Sequence, residues 1–422
     1  VATSATIPQV QAALLEQVDR KFEKIRGPEQ IIQNLFPFDS SGRIGDKHVQ
    51  PTRMSEEQGY HLRAAGLAAP TMNEPVAAMW EEAQFTGSIL DYRSRIDIET
   101  LARTQSSTQA VIDRAVMHIE GLQESMMAHE EYSLLRGGLA MARMASISGT
   151  GTSRALVLQA GTYSVGWLAR SRGMPIYAYS DAALTTTVPA SPAADIVIAS
   201  FNRTTGTLNV TGNAADLTTL DGAATSYLAR KGEAVTVPGI IKRLAQTTGS
   251  PDNISLTTYP EWVGNAVAFG STNISFTKIL QGDALIAEFG LTKALKKLWC
   301  DPRNFAVLNA DLSANRRFDG SYRRTKGENG FGAIEYYSPT GVIEVEVHPY
   351  CHGNEAVEIT VDAWKRKGAD DLTLQIPGDG TTMTVLAANS QQYEYRGFSL
   401  QGMFCRRPPA NTVYSGITQP TI

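Results

Sequence analysis

The side chains able to do chemistry are few and scattered. Six histidines occur in 422 residues, and the tightest cluster is His348-Pro349-Tyr350-Cys351-His352. Imidazole and thiolate are common transition-metal ligands. Cys351 and His352 are adjacent, however, so on an extended strand they point to opposite sides, and no second Cys/His pair has finger-like spacing. The pattern reads as a packing cluster at a strand end. His118 and His129 fall on roughly one face of a helical stretch but about three turns apart, too far to share one ion. Ser148-Gly149-Thr150-Gly151-Thr152-Ser153 lacks the lysine that follows the last glycine of a phosphate-binding loop, so it reads as a flexible loop. Glu81-Glu82 and Glu130-Glu131 are carboxylate pairs, yet nothing around them predicts a pocket that would split their pKa values into an acid and a base. No Gly-x-Ser-x-Gly nucleophile elbow occurs. No catalytic, cofactor-binding or metal residue is assigned, and the expectation is a protein that is not an enzyme.

Composition agrees with a structural role. Hydrophobic residues make up 42% and charged residues 19%, which suits a folded chain and is too apolar for a disordered one. Thirty-six glycines and nineteen prolines point to many turns and substantial β structure. A net charge of −4 argues against a dedicated DNA-binding protein. The short basic runs Lys365-Arg366-Lys367 and Arg323-Arg324 read as solvated faces or intersubunit salt-bridge surfaces. Three widely spaced cysteines, Cys300, Cys351 and Cys405, fit a reducing cytoplasm better than a disulfide framework. The N-terminus lacks the basic-then-apolar pattern of a signal peptide, and no apolar run reaches the ~18–20 residues that span a bilayer.

The elements that would position these residues follow from periodicity. Val10, Leu14, Val18, Phe22 and Ile25 line one face of an amphipathic helix from Pro8 to Arg26, stopped by Gly27-Pro28. Such an arm has little core of its own and must dock on something else. Residues 47–100 read as two extended arms joined at a Gly/Ala/Pro-rich tip. Ser106 and Gln109 resemble a capping box. They open a long helix whose apolar stripe is Ile112, Val116, Ile119, Leu122 and Met126, closed by Gly137-Gly138. Beyond Ser146 strands dominate, with a hairpin from Asp195 to Thr211 turning at Asn202 to Gly206. Helices are expected at Ile240 to Gln246 and between Lys278 and Leu298. A buried strand is expected at Phe305 to Leu308, then a short helix to Phe318. Strands are expected at Val342 to Val347, Ala356 to Trp364 and through Leu372 to Cys405, with a tight turn at Pro377-Gly378-Asp379-Gly380. The tail from Pro408 reads as extended and irregular. No internal repeat is present, which excludes solenoids and propellers.

The order of parts (docking arm, projecting hairpin, long helix, inserted β segment, mixed α/β domain, closing strands) resembles the Hong Kong 97-like fold of tailed-phage major capsid proteins. Local stretches are similar as well: His129-Glu130-Glu131-Tyr132-Ser133-Leu134-Leu135-Arg136-Gly137 at the helix end, Val237-Pro238-Gly239-Ile240-Ile241 followed by Tyr259-Pro260-Glu261-Trp262, and Arg396-Gly397-Phe398-Ser399-Leu400. The resemblance implies an α+β chain with an N-arm over 1–45, an E-loop over 46–102 and a P-domain over 103–179 with its spine helix at 106–137. It further implies an A-domain over 237–369 and P-domain return strands with the C-terminal tail over 370–422. Residues 180–236 are not in the minimal fold and are expected as a β-rich insertion.

That resemblance also implies the function: self-assembly through homo-pentamers and homo-hexamers into an icosahedral head enclosing packaged double-stranded DNA. Expected partners are further copies of the chain, portal, scaffolding and cementing proteins, and DNA contacted without base reading, with no membrane partner. The expected location is the virion, assembled in the host bacterial cytoplasm. Candidate intersubunit contacts are Val10, Leu14, Val18, Phe22 and Ile25 on the arm and Arg53, Arg63, Glu81, Glu82 and Arg93 on the loop. Some family members cross-link their shells through an E-loop lysine. Here Lys47, near the base of the loop, is the sole lysine between Asp46 and Leu101, so noncovalent locking is expected. The alternatives are an encapsulin-type protein nanocompartment or another virion component, tail tube or decoration protein, and the long helix speaks against the latter.

Overall fold

The computed structural model describes residues 30–41, 43–44, 47–62, 64–66, 74–97, 108–222, 226–233, 238–290, 294–310, 334–338, 340–373, 384–386 and 392–420. The arm helix with Val10, Leu14, Val18, Phe22 and Ile25 lies outside these residues, as do Arg63 and the turn at Pro377 to Gly380.

The longest helix, the spine, runs Thr108–Arg136, 29 residues or about 43 Å at 1.5 Å per residue. Leu122 and Met126 of the expected stripe are buried. Over its last two turns burial is no longer confined to a stripe: Glu130, Glu131, Tyr132, Leu134, Leu135 and Arg136 are all buried. A helix buried on every side is embedded in the body. It stops where Gly138 adopts φ +74°, the left-handed conformation that ends helices. A short helix, Ile240–Ala245, packs against that end. Gly239 makes the approach feasible, since a Cβ there would lie 2.5 Å from the Gly137 nitrogen.

Six antiparallel strands close a barrel beside the spine, in the order Ile196–Asn202, Thr207–Thr211, Ser153–Leu158, Ala142–Ser148, Tyr227–Arg230 and Pro175–Tyr179. The pairs Ile196↔Ile176 and Val197↔Pro175 complete the ring. Leu156, Leu158, Ile176, Ala178, Ile196, Ile198, Leu208, Val210 and Leu228 are buried in its core. Closure leaves no open edge. The expected insertion at 180–236 is therefore no separate lobe. It supplies three strands that share the ring with three from 142–179, and the boundary between 179 and 180 falls inside one barrel.

A second sheet is mixed, ordered Asn265–Thr272, Thr412–Ile417, Glu355–Thr360, Ala294–Cys300, Gly341–Val347 and Ile334–Ser338. Helices Phe276–Glu288 and Pro302–Ala310 cover it, with Phe276, Ile279, Leu298, Leu308, Ile343 and Tyr414 between the layers. Three expectations change here. Phe305 to Leu308 is helical, because Asp301 accepts the Arg303 amide at 2.9 Å and Pro302 occupies the first helical turn. The helix expected between Lys278 and Leu298 stops at Glu288, and a strand follows. The tail from Pro408 is not irregular: after one short turn, Thr412–Ile417 lies inside the sheet with neighbours on both edges. Its Thr, Val and Tyr are strand formers whose signal the preceding prolines obscured.

A third sheet is built on the long return strand Gln392–Cys405. Ser88–Asp97 pairs along one edge from Gln401↔Ser88 to Gln392↔Asp97, and Trp364–Thr373 lies on the other. Phe38–Asp39 adds in parallel to Trp364–Thr373. A three-stranded sheet of Arg43–Ile44, Lys47–Arg53 and Trp80–Phe85 carries the projecting hairpin. No helix among the described residues is long and apolar enough to cross a membrane.

Because Gly239 sits against the spine backbone, Gly239→Ala should overpack the junction. The expected loss is roughly 1–3 kcal/mol, measured as a lower denaturation midpoint with an unchanged m-value.

Candidate assembly surfaces

The start of the described chain, Gln30 to Phe36, is tied to the body at the spine's C-terminal end. The Ile32 amide donates to Glu131 Oε1 at 2.6 Å and the Gln33 amide to Oε2 at 3.2 Å. These are first-turn amides of the short helix Ile31–Leu35, which no helical carbonyl can satisfy. A carboxylate from the spine thus does the work of an N-cap for another element. His348 Nε2 lies 3.3 Å from the same Oε1. Gln33 adds a bond to the Met127 carbonyl at 2.9 Å, and Ile32 and Phe36 are buried beneath.

Glu130 faces the return strand, where the Ser399 hydroxyl donates to it at 2.6 Å. Burial pushes its carboxyl up to about 7. On the next turn Arg136 pairs with Glu355 of the mixed sheet and donates to the Ala140 carbonyl at 3.2 Å. Arg230 from the barrel pairs with Glu233 and lies over the Tyr132 ring at 4.8 Å, while Tyr132 stacks on Trp167 with centroids 4.1 Å apart. His129, beside them, is pushed down to about 3 by burial and by Arg230. The adjacent glutamates are therefore anchors for two different segments and not an acid–base pair.

The hairpin behaves in the opposite way. Its base is packed: Ala83, Phe85, Ile254, Leu256, Trp262 and Phe404 form a small core. Toward the tip the ladder ends at Arg53↔Trp80, the Met54 amide donates to the Met79 carbonyl at 2.8 Å, and further out Gln58 and Val76 form an isolated bridge. Tyr60, Leu62, Val76, Met79 and Trp80 all stand in solvent, Leu62 at 89% and Trp80 at 62% exposure. Clustered exposed apolar side chains mark an interaction surface.

The residues proposed from sequence spread over this region unevenly. Arg53 is exposed and pairs with Glu56 at 3.1 Å. Glu82 is exposed beside it, opposite Pro51. Glu81 accepts from the Tyr259 hydroxyl at 2.7 Å and so holds the hairpin base to its own chain. Arg93 lies outside the hairpin sheet, exposed on Ser88–Asp97 and opposite Arg396 of the return strand. Lys47 donates to Gln84 at 3.3 Å in the first paired strand, far from the tip. The apolar tip residues and the Glu131 cap were missed. Their signal was an unpatterned apolar scatter in a Gly/Pro-rich stretch, and a carboxylate inside an otherwise buried helical turn.

No group of three or more His, Cys, Asp or Glu able to hold a metal occurs among the described residues. Burial holds Cys351 and Cys405 up at about 12 and raises Cys300 as well, so none is a ready thiolate.

No family model matches the chain, and no curated protein matches it. Solved structures do. The capsid asymmetric unit of cyanophage A-1(L) aligns with a TM-score of 0.52 at 12% identity, covering 98% of this chain and 100% of that one. This chain has the Hong Kong 97-like capsid fold. The capsid of a native GTA particle (TM-score 0.47, 9% identity, 99% of this chain and 100% of that chain) and that of Myoviridae phage XM1 (0.44, 10%, 96% and 98%) are also similar. In a Hong Kong 97-like chain of this kind, identity is too low for side-chain transfer, and the anchors and exposed surfaces must be taken from its own geometry.

Glu131→Ala should cost roughly 1–2 kcal/mol, seen as a lower urea midpoint, and should speed proteolytic cleavage within residues 30–41. Glu130 binds its proton more tightly when folded, with a carboxyl at about 7 against 4.5 for the ordinary group. This contribution to stability is complete below pH 4.5 and is lost as pH rises through about 7. Glu130→Gln keeps an acceptor for Ser399 without titrating. It should gain stability relative to the parent above about pH 7, measured by denaturation at a series of pH values.

Proposed function

We propose that this chain is the major capsid protein of a tailed phage, which closes with copies of itself into the icosahedral head around double-stranded DNA. The supporting observation is a capsid-type body carrying a hairpin on which Leu62, Val76, Met79 and Trp80 are exposed among the described residues. Apolar burial contributes about 25 cal/mol per Å², so covering Leu62, Val76, Met79 and Trp80 on a neighbouring subunit is a direct driving force for association. The N-terminal arm, read as residues 1–45, would be held to the body at the Glu131 anchor and clasp a second neighbour through Val10, Leu14, Val18, Phe22 and Ile25. Pentamers and hexamers would form around the mixed-sheet domain, the A-domain of this reading.

Arg53, Arg63, Glu82 and Arg93 are proposed intersubunit contacts at the loop. The hydroxyl of Tyr259 already holds Glu81 within its own chain, so Glu81 would act by fixing the angle at which the loop projects. Portal and scaffolding proteins, and a cementing protein in place of a loop cross-link, are the further partners proposed. With a net charge of −4, DNA inside the shell would be contacted through scattered basic groups and counterions without base reading. Assembly would take place in the host bacterial cytoplasm, and the role is structural, not enzymatic.

Replacing residues 55–78 by an Asn-Gly turn preserves the packed base while removing the tip. The expected product is folded, of protomer or capsomer size in sedimentation velocity, with no shells in negative-stain images where the full chain forms them. Normal shells from the shortened chain would overturn the reading.

A further inference from the structure

The mixed sheet encloses a cluster that assembly does not use. Lys296, on the central strand Ala294–Cys300, is 0% exposed, and its ammonium position is in contact with Asp283 Oδ1 and Thr340 Oγ1. Asp283, 1% exposed, comes from the covering helix Phe276–Glu288. Glu358, 0% exposed, stands on the neighbouring strand Glu355–Thr360 with Oε1 3.8 Å from Lys296 Nζ. Register puts them on one face: Leu298 opposes Glu358 and Lys296 opposes Thr360, so Lys296 and Glu358 are diagonal neighbours. Tyr414 from the adjacent strand closes the site, its hydroxyl 2.5 Å from Glu358 Oε2 and 3.0 Å from the Ile279 carbonyl. The helix can lie this near because residue 282 is glycine; any Cβ there would overlap the Tyr414 hydroxyl.

Two features set this cluster apart from an ordinary buried ion pair. Asp283 Oδ2 and Glu358 Oε1 have no hydrogen-bond partner among the described residues. The set also holds two carboxyls against one amine, sealed among Ile279, Leu298, Ile343 and Ala356. A buried ion pair is costly unless its remaining lone pairs are satisfied, whereas an amide linking the two groups carries no charge.

We propose that Lys296 and Asp283 condense into an intrachain isopeptide bond, with Glu358 as the proton-transferring catalytic residue. Transfer of the Lys296 proton to Asp283 within the pair leaves a neutral amine and a neutral acid. Nζ attacks the Asp283 carboxyl carbon, forming the C–N bond. Glu358 takes a proton from the nitrogen and delivers it to the departing Asp283 hydroxyl, so the C–O bond breaks and one water leaves. Nothing is oxidised or reduced, and no co-reactant is needed. Burial raises the Glu358 carboxyl to about 7, the range in which one group can both accept and return a proton. Thr340, which touches both Lys296 Nζ and Asp283 Oδ1, is a positioning residue. Contact geometry inside a closed site substitutes for activation of the acid. The bond would staple the covering helix to the middle of the sheet within one subunit, independently of any contact between subunits.

Intact-mass spectrometry of the purified full chain tests this directly. The expected mass is one water below that of the sequence, with a protease digest yielding a branched peptide joining Lys296 to Asp283. Glu358→Gln and Lys296→Met should restore the full mass, and Glu358→Gln keeps size and shape should the lysine variant fail to fold. A wild-type chain at full mass, or a missing water that maps to any other pair, would overturn the proposal.

Discussion

The structure depends on a carboxylate placed where water cannot reach it. Glu131 sits on a helical turn buried on all sides, and an unpaired carboxylate there would cost several kcal/mol. It is satisfied by the first-turn amides at Ile32 and Gln33 and by His348. The same interaction that neutralises the buried charge pins the start of the described chain to the spine. Glu130 does the equivalent for the return strand through Ser399, and Arg136 for the mixed sheet through Glu355. Two turns of one helix thereby set the relative positions of three distant segments, and the barrel joins them through Arg230 over Tyr132.

From that hub the molecule divides into parts that carry their own core and a part that does not. The barrel has no edge to lose and the mixed sheet is covered by two helices, so each buries its apolar face internally. The hairpin is packed only as far as Phe85 and Trp262. Past Met54 its pairing thins to the bridge between Gln58 and Val76 among the described residues, and Leu62, Val76, Met79 and Trp80 face solvent. Cohesion is thus strong within the body and weak at the appendage.

The buried Lys296, Asp283 and Glu358 obey the same electrostatic rule with a different outcome. At the spine the Glu131 carboxyl is met by backbone amides and the Glu130 carboxyl by a hydroxyl. In the mixed sheet two carboxylate oxygens are left over, and the chemistry available to an amine held against an acid becomes relevant.

Much of the architecture was legible from periodicity. Leu122 and Met126 lie on the spine where the stripe placed them, and the hairpin through Ile196 and Thr211 formed where alternation and Asn202 to Gly206 required. Local pattern failed where a tertiary partner reversed the meaning of a residue. Lys296 and Lys297 fell within the helix expected between Lys278 and Leu298, yet they lie in a strand, where Asp283 and Glu346 receive them. Pro408 and Pro409 read as the start of an irregular tail, although Thr412 to Ile417 completes a sheet begun far upstream. The glutamates at 130 and 131 read as an undistinguished pair, since an N-cap supplied from another element leaves no spacing signature.

The sequence by itself determined the spine helix, the hairpin from Asp195 to Thr211 and the order of most elements, because helix and strand periods are local properties of the chain. Only the tertiary structure decided that residues 142–230 close one barrel, that the C-terminus enters the mixed sheet, and which apolar residues stay uncovered. Those outcomes depend on which backbone edges and buried charges meet across hundreds of residues, and satisfying them is a property of the whole packed chain.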